Sequence, residues 1–174
     1  HDSHHIGKIL INPENSDHIV IGVTGHLYSN NINRGVYVTK DGGENWNRTL
    51  YVDDLSGIID MSDTPGNFNV MYATSWEKDR KAWNFDEDGN SSGIYKSIDG
   101  GDNWSLISND ESGFPTGSGI GRIGLAVFDN NIVYAVVDNQ NFRESAEKEQ
   151  DQGLTKESFL GMSLENFNKI SNDD

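Results

Sequence analysis

Cysteine is absent from the 174-residue chain, which excludes disulfide frameworks, thiolate zinc sites and thiol nucleophiles. Basic residues are scarce: 13 Lys+Arg stand against 28 Asp+Glu, a formal net charge of −15. Nucleic acid and anionic membranes both require a basic footprint, so neither is an expected partner. No apolar run approaches the roughly 18 residues of a membrane helix, so membrane insertion is not expected. No export signal opens the chain either; His1-Asp2-Ser3-His4-His5 runs straight into an expected strand, the pattern of a slice from a longer protein. The sequence also lacks a Ser-His-Asp order, a phosphate loop, a zinc-ligand spacing and any cofactor motif. Its arginines (34, 48, 80, 122 and 143) are spread along the chain rather than clustered.

What the chain does contain is a repeat. Thr39-Lys40-Asp41-Gly42-Gly43-Glu44-Asn45-Trp46 is followed 58 residues later by Ser97-Ile98-Asp99-Gly100-Gly101-Asp102-Asn103-Trp104. Each copy follows a short apolar run, and each Trp opens another. Gly43 and Gly101, with the glycines before them, suit a turn that needs φ > 0, and Asp41 and Asp99 can accept bonds from their own turn's N–H groups. Thr39 and Ser97 place a hydroxyl at the turn entrance, while Trp46 and Trp104 are expected to pack back over the turn.

The flanking runs fall into units. Residues 7–11, 19–23, 36–38 and 46–52 read as a four-stranded antiparallel meander; 57–61, 70–74, 94–96 and 104–107 read as a second. A third begins with 121–127 and 132–137 and does not complete. Gly7, Gly57 and Gly121 thus open units 50 and 64 residues apart, a period that suggests repeated sheets. A β-sandwich of short strands is the alternative all-β architecture. The expected divisions are 1–56, 57–110, 111–138 and 139–174. The last contains a charged linker over 141–152 and two short helices, 155–160 and 163–170. Thr155 and Ser163 stand at their N-caps, and Phe159, Leu160, Leu164, Phe167 and Ile170 can share an apolar face.

The pattern [Ser/Thr]-x-Asp-Gly-Gly-x-x-Trp resembles the Asp-box, or BNR repeat, of β-propellers such as sialidases, xyloglucan-active glycoside hydrolases and the sortilin (VPS10) domain. Further stretches resemble landmarks of large bacterial sortilin-like BNR-repeat proteins, often called glycosyl hydrolase-like. They are His4-His5-Ile6-Gly7-Lys8-Ile9, Gly25-His26-Leu27-Tyr28, Arg34-Gly35-Val36-Tyr37, Arg80-Lys81-Ala82-Trp83-Asn84-Phe85 and Gly121-Arg122-Ile123-Gly124-Leu125-Ala126. The resemblance runs from residue 4 to about 170 and departs at Ala82, where the family tends to carry proline. It implies about two and a half propeller blades from a longer bacterial protein that is secreted, periplasmic or on the cell surface. The tail resembles a helical insertion after such a blade. Asp-boxes occur in propellers with unrelated activities, so architecture is implied before function.

In a meander, the turns joining strands 1–2 and 3–4 lie at one end of the sheet, and the remaining connections lie at the other. The two D-G-G turns therefore belong with the short turns at 12–17 and 62–68. The long loops 25–34, 52–57, 75–93 and 108–121 collect opposite them, where function usually sits. Trp76, Arg80, Trp83 and Asn84 form the most site-like group there, joined by His26, Tyr28 and Arg122. Flat aromatics stack on sugars or peptide side chains, and arginine takes a carboxylate in two-pronged fashion. The same aromatics could instead pack the loop down.

Asp53 and Asp54 are the weak candidates for a glycosidase carboxylate, which would need a partner some 5–10 Å away. Asp86 and Asp88 are weak candidates for a Ca²⁺ ligand, lacking EF-hand spacing. The leading expectation is a non-catalytic scaffold for peptide or glycan. The alternative is part of a glycoside hydrolase completed by blades outside this chain. Open sheet edges and apolar faces are expected to recruit the remaining blades or a second copy.

Overall fold

Short runs of Val, Ile and Tyr, punctuated by Asn, Asp and Gly clusters, form the first sheet. It comprises β1 (Ile6–Ile11), β2 (Ile19–Val23), β3 (Gly35–Thr39) and β4 (Asn47–Leu50), antiparallel and in chain order. The computed structural model describes residues 3–141 and 162–170. The chain divides into two units, His1–Phe142 and Arg143–Asp174.

A second antiparallel sheet contains β5 (Ser56–Thr64) and β6 (Asn67–Glu77), followed in the chain by β7 (Asp79–Arg80) and β8 (Phe85–Asp86). It is completed by β9 (Gly93–Ser97) and β10 (Ser105–Leu106), in the order β10-β9-β6-β5. Between β6 and β9, β7 and β8 pair as a small separate hairpin. β11 (Ile120–Val127) and β12 (Val133–Asn139) form a final antiparallel pair. The fold is all-β in the first unit. Three details differ from expectation, the first being that the β7–β8 hairpin lies inside the expected 75–93 loop. The short turn expected over 62–68 contracts to Pro65 and Gly66, because β5 and β6 pair as far as Thr64 and Asn67. Trp46 and Trp104 sit just ahead of β4 and β10, because their rings serve the preceding turn.

The sheets stack face to face. Leu10, Val20, Val36 and Val38 from the first sheet meet Ile58, Met61, Met71 and Ala73 from the second, in one buried cluster. A smaller cluster joins Ile94 to Ile120 and Ile123. Truncating a fully buried residue such as Ile58 or Met71 costs about 2–5 kcal/mol. Gly57 is required by this stacking: a Cβ there would lie 2.3 Å from the carbonyl oxygen of Thr24.

Pairing register makes the sheets superimposable in sequence. Ile19 pairs with Thr39 as Met71 pairs with Ser97, so Ile19 corresponds to Met71 and Ile21 to Ala73. Met71 and Ala73 are wholly buried beneath the first sheet. Their counterparts Ile19 and Ile21 are part-exposed on the first sheet's outer face, which also carries exposed Ile9 and Ile11. That face holds a cavity of about 650 Å³ between residues that include Ile21, Tyr37, Trp46 and Arg48.

The two D-G-G turns have the same hydrogen bonding. Asp41 Oδ1 accepts from the Thr39 hydroxyl at 2.6 Å and from the Asn45 N–H at 2.9 Å, and Asp41 Oδ2 accepts from Asn45 Nδ2 at 2.8 Å. Gly43 N–H donates to Thr39 Oγ1, and Trp46 Nε1 donates to the Gly43 carbonyl. Ser97, Asp99, Gly101, Asn103 and Trp104 repeat these bonds. Gly43 and Gly101 hold φ of 100° and 92°, a region that disfavours any other residue. Both turns lie at one end of the stack: Gly42 N–H donates to the Asp17 carbonyl, and Gly100 N–H to that of Asn69.

In the second unit, α1 (Leu164–Phe167) is capped by Ser163, whose hydroxyl accepts from the Asn166 N–H at 3.3 Å. It is one turn, shorter than the expected 163–170, and buries none of its own residues. The expected helix at 155–160, with Phe159 and Leu160, lies outside the described residues. So does the charged linker beyond Asn141.

Candidate functional site at the loop end

At the end opposite the D-G-G turns, one arginine organises the loops. Arg34 enters β3 almost completely buried. Its guanidinium donates to the carbonyls of Thr24, His26 (2.9 Å), Ser29 (3.1 Å) and Asp54 (3.0 Å). Burial lowers its pKa, and the charges of Asp53 and Asp54 work against that shift. Because its donors all meet main chain, Arg34 fixes the path of the 25–34 loop against residue 54 and leaves no prong for a ligand.

Lys78 lies between β6 and β7, only 4% exposed. Its Nζ donates to the carbonyls of His26 (3.3 Å) and Leu27 (3.4 Å) and lies 5.8 Å from the Trp76 ring centroid. Burial, then repulsion from Arg34 and Arg80, lowers its pKa to about 8 against the opposing pull of Asp79.

Arg80, two residues on, is different. Its guanidinium carbon lies 5.0 Å from the Phe85 ring centroid and 5.7 Å from that of Tyr28. Neighbouring Asp79 is instead paired with Lys81 at 2.6 Å. Among the described residues, no carboxylate forms an ion pair with Arg80. In a chain this acidic, a partly exposed arginine facing only rings is the most ligand-ready charge at this end.

The hairpin carrying Arg80 is held in place. Trp76 packs edge-on against Phe85 at 6.0 Å and donates from Nε1 to the Glu87 carbonyl at 2.7 Å. Glu77 Oε2 accepts from the Ser91 N–H at 2.8 Å, and the Ser92 hydroxyl accepts from the Glu77 N–H. At the hairpin tip, the Lys81 N–H donates to the Asn84 carbonyl, and Trp83 is left 85% exposed.

The expected group is therefore divided. Arg80, Tyr28 and Trp76 come together around Phe85 and Lys78. Trp83 stands at the tip, and Asn84 donates from Nδ2 to Asp86 Oδ1 at 3.1 Å. His26 contributes chiefly its carbonyl; its Nδ1 is 2.8 Å from the Ser29 hydroxyl, and its ring lies 4.1 Å from that of His4. Arg122 shares a separate groove of about 480 Å³ with Trp76, Glu87 and Asp138.

Asp53 and Asp54 shape the chain rather than face a cleft. Asp53 Oδ1 accepts from the Leu55 and Ser56 N–H groups at 2.9 and 2.6 Å. Burial pushes its pKa up, but hydrogen bonds from Ser91, Ser56 and Leu55 outweigh it and hold the carboxyl below its ordinary value. That is opposite to the shift a general acid needs. Asp54 Oδ2 accepts from Asn30 Nδ2. Asp88 Oδ2 accepts from the Gly119 N–H at 2.9 Å. Among the described residues, no group of three or more His, Asp or Glu side chains could hold a metal ion.

Sequence reasoning missed Lys78 and the roles of Phe85, Glu87 and Asp138. Alternation could have found Lys78, because Trp76, Lys78 and Arg80 stand two apart and share a side of an extended chain.

No protein-family model matches the chain, and no curated protein matches it. Among solved structures, the chain is similar to an ancestral GH74 enzyme, with 17% sequence identity and a TM-score of 0.48. The similarity covers 70% of this chain and 14% of that one, so the chain spans a small part of that protein's length.

Proposed function

We propose that this chain is part of a sortilin-like, Asp-box β-propeller and acts as a non-catalytic scaffold that binds peptide or glycan at its loop end. The observation that carries this reading is Arg80, flanked by Tyr28 and Phe85, without a carboxylate partner, on a hairpin braced by Trp76. The propeller is supported by the repeated register and by an outer face on which Ile9, Ile19 and Ile21 have as counterparts Met61, Met71 and Ala73, buried in the next sheet by a sheet of the same kind. A further blade or a second copy would cover it. An exported location rests on the motif resemblance alone.

A glycan array and a peptide pull-down test the binding role. Binding that is lost in Trp83→Ala with unchanged melting supports the loop-end site; binding that survives changes at Trp83, Arg80 and Tyr28 refutes it.

The groove between Trp76, Glu87, Arg122 and Asp138 favours a second reading, part of a glycoside hydrolase, since such enzymes set two carboxyl groups across a cleft. Hydrolysis of xyloglucan by a longer form, abolished by Glu87→Gln or Asp138→Asn, would establish it.

A further inference from the structure

Four observations converge on one ligand chemistry. Arg80 presents a guanidinium clamped by two rings and met by no carboxylate. Lys78 stands behind it with its amine already committed to two carbonyls, adding charge but no free path to solvent. Trp83, three residues beyond Arg80, is almost fully exposed on a defined turn. The rest of the chain is strongly acidic, with a net charge of −15.

A planar guanidinium with open edges matches a carboxylate in two-pronged fashion. An exposed indole offers a flat surface for the apolar face of a sugar ring. The acidic surroundings repel a polyanion, so a ligand carrying many charges is disfavoured, and one carrying a single carboxylate is not. We propose that the loop end binds a glycan that is largely neutral and bears an isolated uronic acid, its carboxylate on Arg80 and a neighbouring sugar on Trp83. This rests on the loop-end binding role proposed above and specifies its ligand.

The proposal carries a proton linkage. Lys78 is faced by Arg34 and by the His26 and Leu27 carbonyls from the 25–34 loop, by Arg80 and Asp79 from β7, and by the Trp76 ring from β6. Arg34 is itself balanced by Asp53 and Asp54. A carboxylate on Arg80 offsets the repulsion that helps to hold Lys78 at about 8. Binding therefore raises that pKa and takes up protons, and affinity declines as pH rises above 8.

The test is calorimetric titration with a xylo-oligosaccharide bearing one glucuronic acid branch, alongside the same oligosaccharide without the branch and an acidic peptide of similar length. The expected result is binding of the branched sugar, weakened about tenfold or more for the unbranched one and for Arg80→Gln, with melting unchanged. Arg80→Lys recovers part of the affinity, Trp83→Ala weakens it, and proton uptake near pH 8 disappears in Lys78→Met. Equal binding of both sugars, binding indifferent to Arg80→Gln, or binding of the peptide alone would overturn the uronate assignment while leaving loop-end binding intact. Failure of all three probes to bind would overturn it as well; the array then decides the broader reading separately.

Discussion

The imidazole Nε2 of His18 lies 2.9 Å from the carbonyl oxygen of Gly100, 82 residues away in the chain. The contact joins the first short turn to the second D-G-G turn, so neighbouring sheets are tied at their tight end as well as through their cores. Phe68 packs edge-on against the same imidazole at 5.2 Å. Replacing His18 with Ala should destabilise the chain by roughly 1–2 kcal/mol, through one hydrogen bond and a ring contact. Urea denaturation checks this; no change in midpoint would show that the turns are coupled through the cores alone.

Arg34 should behave as a structural residue. Arg34→Met removes a charge but takes the guanidinium donor from the carbonyls of Thr24 and Ser29, and leaves those of His26 and Asp54 with only Lys78 and the Asn31 N–H. A loss of about 2–5 kcal/mol is expected. A variant that melts normally and loses only ligand binding would move Arg34 into the site.

Acid should act on the D-G-G turns. Hydrogen bonds from Asn45 and Thr39 lower the Asp41 pKa to about 2, and at exposed Asp99 desolvation pushes the pKa up but hydrogen bonds from Asn103 and Ser97 outweigh it and lower it. A carboxyl depressed in the folded state contributes stability above its unfolded value, near 4, and loses that contribution as pH falls toward its folded one. Unfolding midpoints should decline between about pH 4 and 2, and less so in Asp41→Asn. A flat profile through that window would contradict the observed bonding.

The turns were legible in the sequence because their chemistry is local. Asp41 meets Asn45 and Thr39 within six residues, so side-chain types and spacing alone specify the bonds. The strands of the two meanders were legible for the same reason, apart from their ends, whereas the β7–β8 hairpin inside the expected 75–93 loop was not. Arg34 was not, because the carbonyls that hold it come from two separated segments, 24–29 and residue 54, and converge only in the folded chain. Trp76 and Trp83 show the same limit. Nothing local separates two tryptophans seven residues apart, yet one is pinned by Phe85 and the Glu87 carbonyl while the other stands at a hairpin tip. The division of the expected site follows from that difference.

The outer face of the first sheet predicts association. Ile9 and Ile11 are more than half exposed beside Ile21 and Tyr37. In isolation the chain should form concentration-dependent oligomers by light scattering, and Ile9→Lys with Ile11→Lys should shift it toward monomer. A clean monomer in the unmodified chain would count against an uncovered stacking face.

Hydrogen exchange in the presence of the tightest ligand recovered from the array tests the central claim most directly. Slowed exchange confined to 25–34 and 75–93, with none at 39–46 or 97–104, is the predicted result. Protection centred on the D-G-G turns or on the outer face of the first sheet would contradict a binding site at the loop end.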